Sequence, residues 1–161
     1  MAFIAGPSSC SYNALALGQS QDGYALDFSL FFEPVRGDNL ADAIQDLITR
    51  GADAYLSTVL IEYNAAGAQS AFWPQNAVFG TQGQVGRISA SAIGGVTLAK
   101  PMILTAIAGT TASATPATLT AALSILAPNF NVNLLFAPRL RVVPLRLQCL
   151  PNSSLVSFAL A

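Results

Sequence analysis

The sequence predicts a mainly β fold, an antiparallel sandwich or barrel with one flanking helix. Three observations predict it: a run with period-two alternation, several short apolar runs bounded by glycine or proline, and no regular alternation of strands with helices. The 161 residues fit one domain, residues 1–161, with enough length for a core. The tail 151–161 is expected to be extended.

The first elements read as a hairpin. Residues 11–17 form a short mixed run, and a turn bounded by Gly18 and Gly23 follows. From Tyr24 to Phe32 apolar side chains alternate with smaller or polar ones, which predicts a strand with one buried face. Pro34 is expected to end that strand.

A single helix is predicted at about residues 39–50. Asp38 is placed as its N-cap and Gly51 as its stop. An apolar stripe falls at helical spacing and consists of Leu40, Ile44, Leu47 and Ile48.

Strand signals return in the rest of the chain. Residues 53–63 carry apolar side chains on both faces, which favours a central strand, and residues 64–76 are a loop or a short helix. A weak strand lies near 84–90, within a glycine-rich stretch. Further strands are predicted at 100–108, 117–126, 131–136 and 139–150.

The composition predicts that the chain hides surface against a partner. Hydrophobic residues make up 53% of it and charged residues 9%, whereas ordinary domains are roughly a quarter charged. Residues 101–138 carry no charged side chain. No segment has the length and apolarity of a membrane helix, and the N-terminus lacks the pattern of a signal peptide. We therefore expect burial against copies of the same chain and no membrane partner.

Most catalytic chemistry is disfavoured. The chain has no histidine, which removes the commonest general base and metal ligand. Cys10 and Cys149 are interpreted as two buried thiols, with a bridge between them left open, and Glu33 and Glu62 as solvated or ion-paired acids. We expect no enzyme activity, no metal and no cofactor. A net charge of −1 with scattered cations does not predict specific nucleic-acid binding.

Several segments together resemble phage tail tube proteins, the small subunits that stack as rings in the tail of a long-tailed bacteriophage. The resemblance runs over about residues 3–151 and is one of order and texture, because these proteins have no diagnostic signature. It is carried by Tyr12–Gly18 with Asp22–Tyr24, Gly37–Ile44 through Arg50–Gly51 into Ala54–Asn64, Ala71–Pro74 with Val85–Arg87, and Leu134–Arg141 with Val143–Arg146.

The resemblance implies a virion protein made in the host cytoplasm. Its β-sandwich and helix would form hexameric rings, strands of each subunit would join a barrel between subunits, and DNA would pass transiently through the lumen. The implied partners are the chain itself and the tape measure, terminator and baseplate proteins. A lumen for DNA is expected to be neutral or acidic, because cations facing phosphate add binding.

Two sets of residues are assigned on this basis. The expected lumen-lining hairpin includes Ser11, Asn13, Asp27 and Ser29. The expected contacts between subunits or rings are Phe72, Trp73, Gly80, Gly83, Gly86, Arg87, Ile93 and Val96. For Phe72 and Trp73, packing within the core is the alternative.

Two other classes remain open. The first is a different tail ring protein: a terminator, a baseplate subunit or the tube of a contractile tail. The second is a β-sandwich binding module, which would be a monomer with exposed aromatic side chains around Trp73.

Overall fold

The computed structural model describes residues 7–36, 44–62, 66–72, 98–107, 118–130, 142–154 and 156–160. These residues form eight strands and one helix. In chain order they are β1 (Ser8–Tyr12), β2 (Leu15–Ala16), β3 (Ser20–Arg36), β4 (Ile44–Leu60), α1 (Ala66–Phe72), β5 (Lys100–Ala106), β6 (Thr118–Leu126), β7 (Val143–Leu150) and β8 (Ala159–Leu160).

All eight strands belong to one antiparallel sheet. Its order is β2-β1-β5-β6-β7-β4-β3, and β8 pairs with β6. Leu123 of β6 opposes Leu150 of β7, and Leu119 of the same strand opposes Leu160 of β8. β8 therefore pairs with the same edge of β6 as β7 does, and the last described residues lie on the sheet. The predicted mainly β, antiparallel fold is confirmed for the described residues, which contain a single short helix.

The sheet curves around one core. Buried side chains alternate along β1, β4, β6 and β7, as expected for strands with one inward face. Tyr12 is fully buried, and its hydroxyl donates a 3.0 Å hydrogen bond to the carbonyl oxygen of Ser124, two strands away in the order. The core cluster joins both halves of the sheet: Cys10, Tyr12, Leu17, Ala54, Leu56, Leu60, Met102, Leu119, Ala121, Val143, Leu145, Leu147 and Cys149.

Helix α1 covers one part of this core. Ala68, Ala71 and Phe72 belong to the core cluster. A Cβ on Gly67 would lie 2.4 Å from the carbonyl oxygen of Ala16, so the helix approaches β2 at a distance that only glycine permits. This helix falls within the stretch for which the sequence left a loop or a short helix open. No helix among the described residues is long or apolar enough to span a membrane.

The helix predicted at about residues 39–50 is wrong for residues 44–50, which are strand in β4. Residues 39–43 lie outside the described residues. The apolar stripe was read from local spacing, but residues 44–50 pair with the strongly strand-forming half of β3 instead. Long-range pairing here overrides a local helical preference of a few tenths of a kcal/mol per residue.

The predicted hairpin between residues 11–17 and 24–32 is also wrong. Residues 8–16 form their own hairpin of β1 and β2, while β3 pairs with β4. Pro34 does not end β3, because it lies opposite Leu47 on the last strand in the order of the described sheet, where a missing N–H costs little.

The later strands match the expectations more closely. The strands β5, β6 and β7 lie within predicted segments, and a turn at Pro128 and Asn129 follows β6, with Asn129 at a φ of 59°. The predicted strands at 84–90 and 131–136 lie outside the described residues. Cys10 and Cys149 are buried free thiols, which confirms the first of the two interpretations.

Candidate assembly surface

The hairpin of β3 and β4 is longer than the sheet that carries it. β7 pairs with β4 only from Ala54 to Leu60. Beyond Ala54, residues 44–53 of β4 pair with β3 alone among the described strands. We call residues 27–36 of β3 and 44–53 of β4 the arm. Both of its outer edges lack a partner strand within the described part of the chain, so their backbone groups can pair with another chain.

One face of the arm continues the core face of the sheet, and at its base the ring of Phe158 lies against Phe28. We call this face the apolar face. Its five large hydrophobic side chains, each 48–54% exposed, are Phe28, Leu30, Phe32, Ile44 and Leu47, and Arg36 lies on the same face at the distal end, opposite Ile44. Other large exposed hydrophobic side chains lie apart from it, for example Ile103 and Val156. A contiguous exposed apolar surface of this kind usually marks an interaction site.

The opposite face of the arm is acidic, and we call it the acidic face. It carries Asp27, Glu33, Asp46 and Asp53 as its acids, and Arg50 at a register shift as its cation. Four acids and one cation give a formal charge of −3. Arg50 is paired with Glu33 at 2.6 Å, and both side chains are at least half exposed. Phe31 and Ile48 lie among these groups, so this face also exposes apolar area.

The base of the arm is fixed to the body of the protein. The ring of Phe28 contacts the ring of Phe158 edge-on, with centroids 5.5 Å apart. Phe158 packs against the core cluster, and the side chain of Asn152 accepts hydrogen bonds from the backbone N–H groups of Ser154 and Val156. The expected extended tail therefore folds back onto its own chain as far as residue 160. The contact between Phe158 and Phe28 attaches this tail to the base of the arm.

The titratable groups of the core are held in their neutral forms. Burial raises the pKa of Cys10 to about 12, with the nearby Cys149 adding to the rise, and burial raises the pKa of Cys149 to about 11. Burial also raises the pKa of Tyr12 to about 12. A thiol attacks as its thiolate, so these cysteines are poor nucleophiles at neutral pH. They contribute to packing.

The described residues offer little for metal or anion binding. They contain no cluster of three or more histidine, cysteine, aspartate or glutamate side chains that could hold a metal ion. The guanidinium of Arg146 lies 4.3 Å from the centre of the Tyr55 ring, on the outer face of β4 and β7. That cation is thus engaged by an aromatic face.

The structure separates the residues that the sequence assigned to the lumen. Asp27 and Ser29 lie together on the acidic face, both exposed. Ser11 lies on β1 and Asn13 in the β1–β2 turn, at the other end of the strand order. These four residues therefore do not form one hairpin.

Of the expected contact residues, only Phe72 is described. It is 2% exposed within the core cluster, as in the packing alternative, so its side chain is not on the surface of the chain. Trp73, Gly80, Gly83, Gly86, Arg87, Ile93 and Val96 lie outside the described residues.

Sequence reasoning missed the apolar face. Leu30 and Phe32 were assigned to a buried strand face, and Ile44 and Leu47 to the inner stripe of a helix. The available signal was the adjacent pair Phe31 and Phe32, since neighbouring residues of a strand point to opposite faces. Bulky side chains on both faces predict cover on both sides.

A scan against models of known protein families finds no match, and a search of curated proteins finds no significant relative.

Proposed function

We propose that this chain is a structural virion protein, the subunit of the tail tube of a long-tailed bacteriophage. Copies of it close into hexameric rings, and the rings stack into a hollow tube through which DNA is ejected. The observation that carries the proposal is the arm, with two edges that pair with no described strand and an apolar face exposed by about half. An isolated two-stranded ribbon is marginally stable in water, so the arm favours a neighbour that covers it.

The two free edges fit a ring. The outer edge of β3 in one copy can pair with the free edge of residues 44–53 of β4 in the next copy. Each contact then joins two different edges, and such head-to-tail contacts close into a ring when the rotation between copies allows it. Closure removes every exposed edge of the arm and builds a barrel from the arms of all subunits.

The two faces of the arm fit the two sides of such a barrel. The acidic face, with its formal charge of −3, would line the lumen and repel the phosphates of passing DNA. The apolar face continues the core face of each subunit and would pack beneath the subunit bodies. Asp27 and Ser29 keep their proposed place in the lumen, whereas Ser11 and Asn13, which lie away from the arm, lose it.

The partners in this proposal are other copies of the chain and the tape measure, terminator and baseplate proteins of the tail. DNA is a transient passenger, and the location is the virion. A terminator, a baseplate ring protein or a contractile-tail tube would use the same arm. Whether the rings stack distinguishes a terminator or a baseplate protein from a tube. A monomeric binding module is disfavoured by the open, apolar arm.

Negative-stain electron microscopy of the purified protein, with light scattering on the same samples, tests the proposal. Long hollow tubes of uniform width, built from six-fold rings, are the expected result. Isolated closed rings that never stack would favour a terminator or baseplate subunit. A stable monomer at every concentration would contradict the proposal.

A further inference from the structure

The distal part of β4 has a sequence that does not suit a strand. In residues 44–50 the large apolar side chains are Ile44, Leu47 and Ile48, whose spacing places all three on one face of a helix. In the arm they are divided, because Ile44 and Leu47 lie on the apolar face and Ile48 on the acidic face. Each is 52–54% exposed. The strand therefore places these three side chains on two faces, whereas a helix would place all three on one.

The pairing of this segment is correspondingly irregular. A register shift lies between Phe31 and Phe32, where Arg50 is the extra residue on β4, and another lies between Val35 and Arg36. Both shifts therefore fall within residues 44–50 and enclose residues 46–49, while the pairing from Tyr24 to Phe31 is continuous. Bulges of this kind change the face to which the following side chains point. A segment whose hydrophobic pattern lacks a period of two can therefore still pair as a strand.

Local interactions stabilise neither conformation of this segment strongly. A ribbon without a third strand is marginal in water, and so is a helix of a few turns. We propose that residues 44–50 exchange between the strand of the arm and a short helix in the free subunit, and that a neighbouring copy selects the strand. The selection rests on the proposed self-assembly, whereas the exchange is a property of the single chain.

The exchange would control pairing. The helical form removes the free edge of β4 and the partner of the distal half of β3, so the free subunit offers less edge to other chains. A neighbour that pairs with the edges binds only the strand form. The apparent affinity of assembly is then lowered by the fraction of subunits in that form.

The experiment compares the wild-type chain with a locked variant. Val35 and Asp46 lie directly opposite each other on the face turned away from the apolar face, and the pair Val35→Cys and Asp46→Cys, oxidised with a mild disulfide reagent, holds the strand form. The reduced double variant is the matched control. Backbone carbon chemical shifts of Ile44, Leu47 and Ile48 are measured below the assembly concentration, and the assembly concentration is measured by light scattering.

The wild-type shifts are expected to lie between helix and strand values, and the locked values at the strand limit. If two thirds of the free subunits are helical, locking lowers the assembly concentration about threefold. Wild-type shifts equal to the locked shifts would overturn the exchange. Exchange in the shifts with an unchanged assembly concentration would overturn the selection. A chain that exchanges but never assembles would contradict the proposed function and leave the exchange supported.

Discussion

The hydroxyl of Tyr12 donates a 3.0 Å hydrogen bond to the backbone carbonyl oxygen of Ser124. The hydroxyl of Ser124 in turn donates to the carbonyl oxygen of Lys100 at 2.8 Å. Tyr12 and Ser124 are both 0% exposed, so this short chain of polar groups crosses the core between strands that are not neighbours. It links β1 to β6 across the core.

Replacing Tyr12 with phenylalanine tests this link. The ring still fills its site, but one buried hydrogen bond is lost, which is expected to lower the free energy of unfolding by about 1 kcal/mol. Urea denaturation measures the change. Tyr55→Phe on the partly exposed outer face is the control and should change stability less. Equal stability of Tyr12→Phe and the wild type would mean that the bond does not contribute.

The buried thiols predict a loss of stability at alkaline pH. Burial raises the pKa of Cys10 from 9.0 to about 12 and that of Cys149 from 9.0 to about 11, so the unfolded chain loses these protons first. Their contribution is complete below pH 9 and is lost as the pH rises through the two folded values. Urea denaturation under reducing conditions from pH 8 to 11 should show the decline.

The matched control for this decline is the double variant Cys10→Ala and Cys149→Ala. Its stability should stay level beyond pH 9 and fall only from about pH 10, where Tyr12 and Tyr24 begin to ionise in the unfolded chain, because burial raises the pKa of each to about 12 in the folded protein. A wild-type profile that is flat to pH 11, or a decline identical in the double variant, would rule out the thiols as the cause.

Gly67 predicts an unusual response of a helix to alanine. An alanine in a helix is normally more stable than glycine by roughly 0.5–1 kcal/mol. Here the added Cβ would lie 2.4 Å from the backbone oxygen of Ala16, so Gly67→Ala should destabilise the protein instead. Thermal unfolding measures the effect, with Ala66→Ser at an exposed position of the same helix as the control. A stabilised Gly67→Ala protein would show that α1 does not pack closely on β2.

The sequence predicted the strands that local alternation of side chains identifies. It failed where the pairing partner decided the structure. Tyr24 to Phe32 alternates and is a strand, although its partner is β4 and not residues 11–17. Ile44, Leu47 and Ile48 have helical spacing, but the adjoining β3 offers a strand to pair with. Which strand is the partner depends on contacts between residues that are far apart in the chain. Local spacing gives no information about those contacts.

The sequence predicted that the chain buries surface against partners, but it did not locate that surface. Low charge indicated a surface to be hidden, and the structure exposes such a surface on the arm. Asp27 and Ser29 were assigned to a lumen-lining hairpin, and they lie exposed on the acidic face of the arm. Phe72 was proposed for a contact but is buried, because the helix that carries it packs its apolar side chains into the core.

The acidic face predicts how DNA would interact with the proposed tube. Asp27→Lys with Ser29→Lys changes its formal charge from −3 to 0 and places two cations in the proposed lumen. Tubes assembled with short duplex DNA should then protect that DNA from nuclease, which wild-type tubes should not do. The control is Ile103→Lys with Thr105→Lys on β5, whose exposed side chains lie away from the arm. Protection by the control and not by the arm variant would place the lumen elsewhere.

The central claim is that the apolar face of the arm is buried between copies of the chain. Leu30→Ser with Phe32→Ser removes two half-exposed side chains, so the free subunit should remain folded, while Ile103→Ser with Val156→Ser removes two similarly exposed side chains elsewhere. The most direct measurement is the mass of each protein by light scattering as its concentration is raised. The account predicts that the wild type and the Ile103 and Val156 variant assemble while the arm variant stays a monomer. Assembly of the arm variant at the wild-type concentration would contradict it.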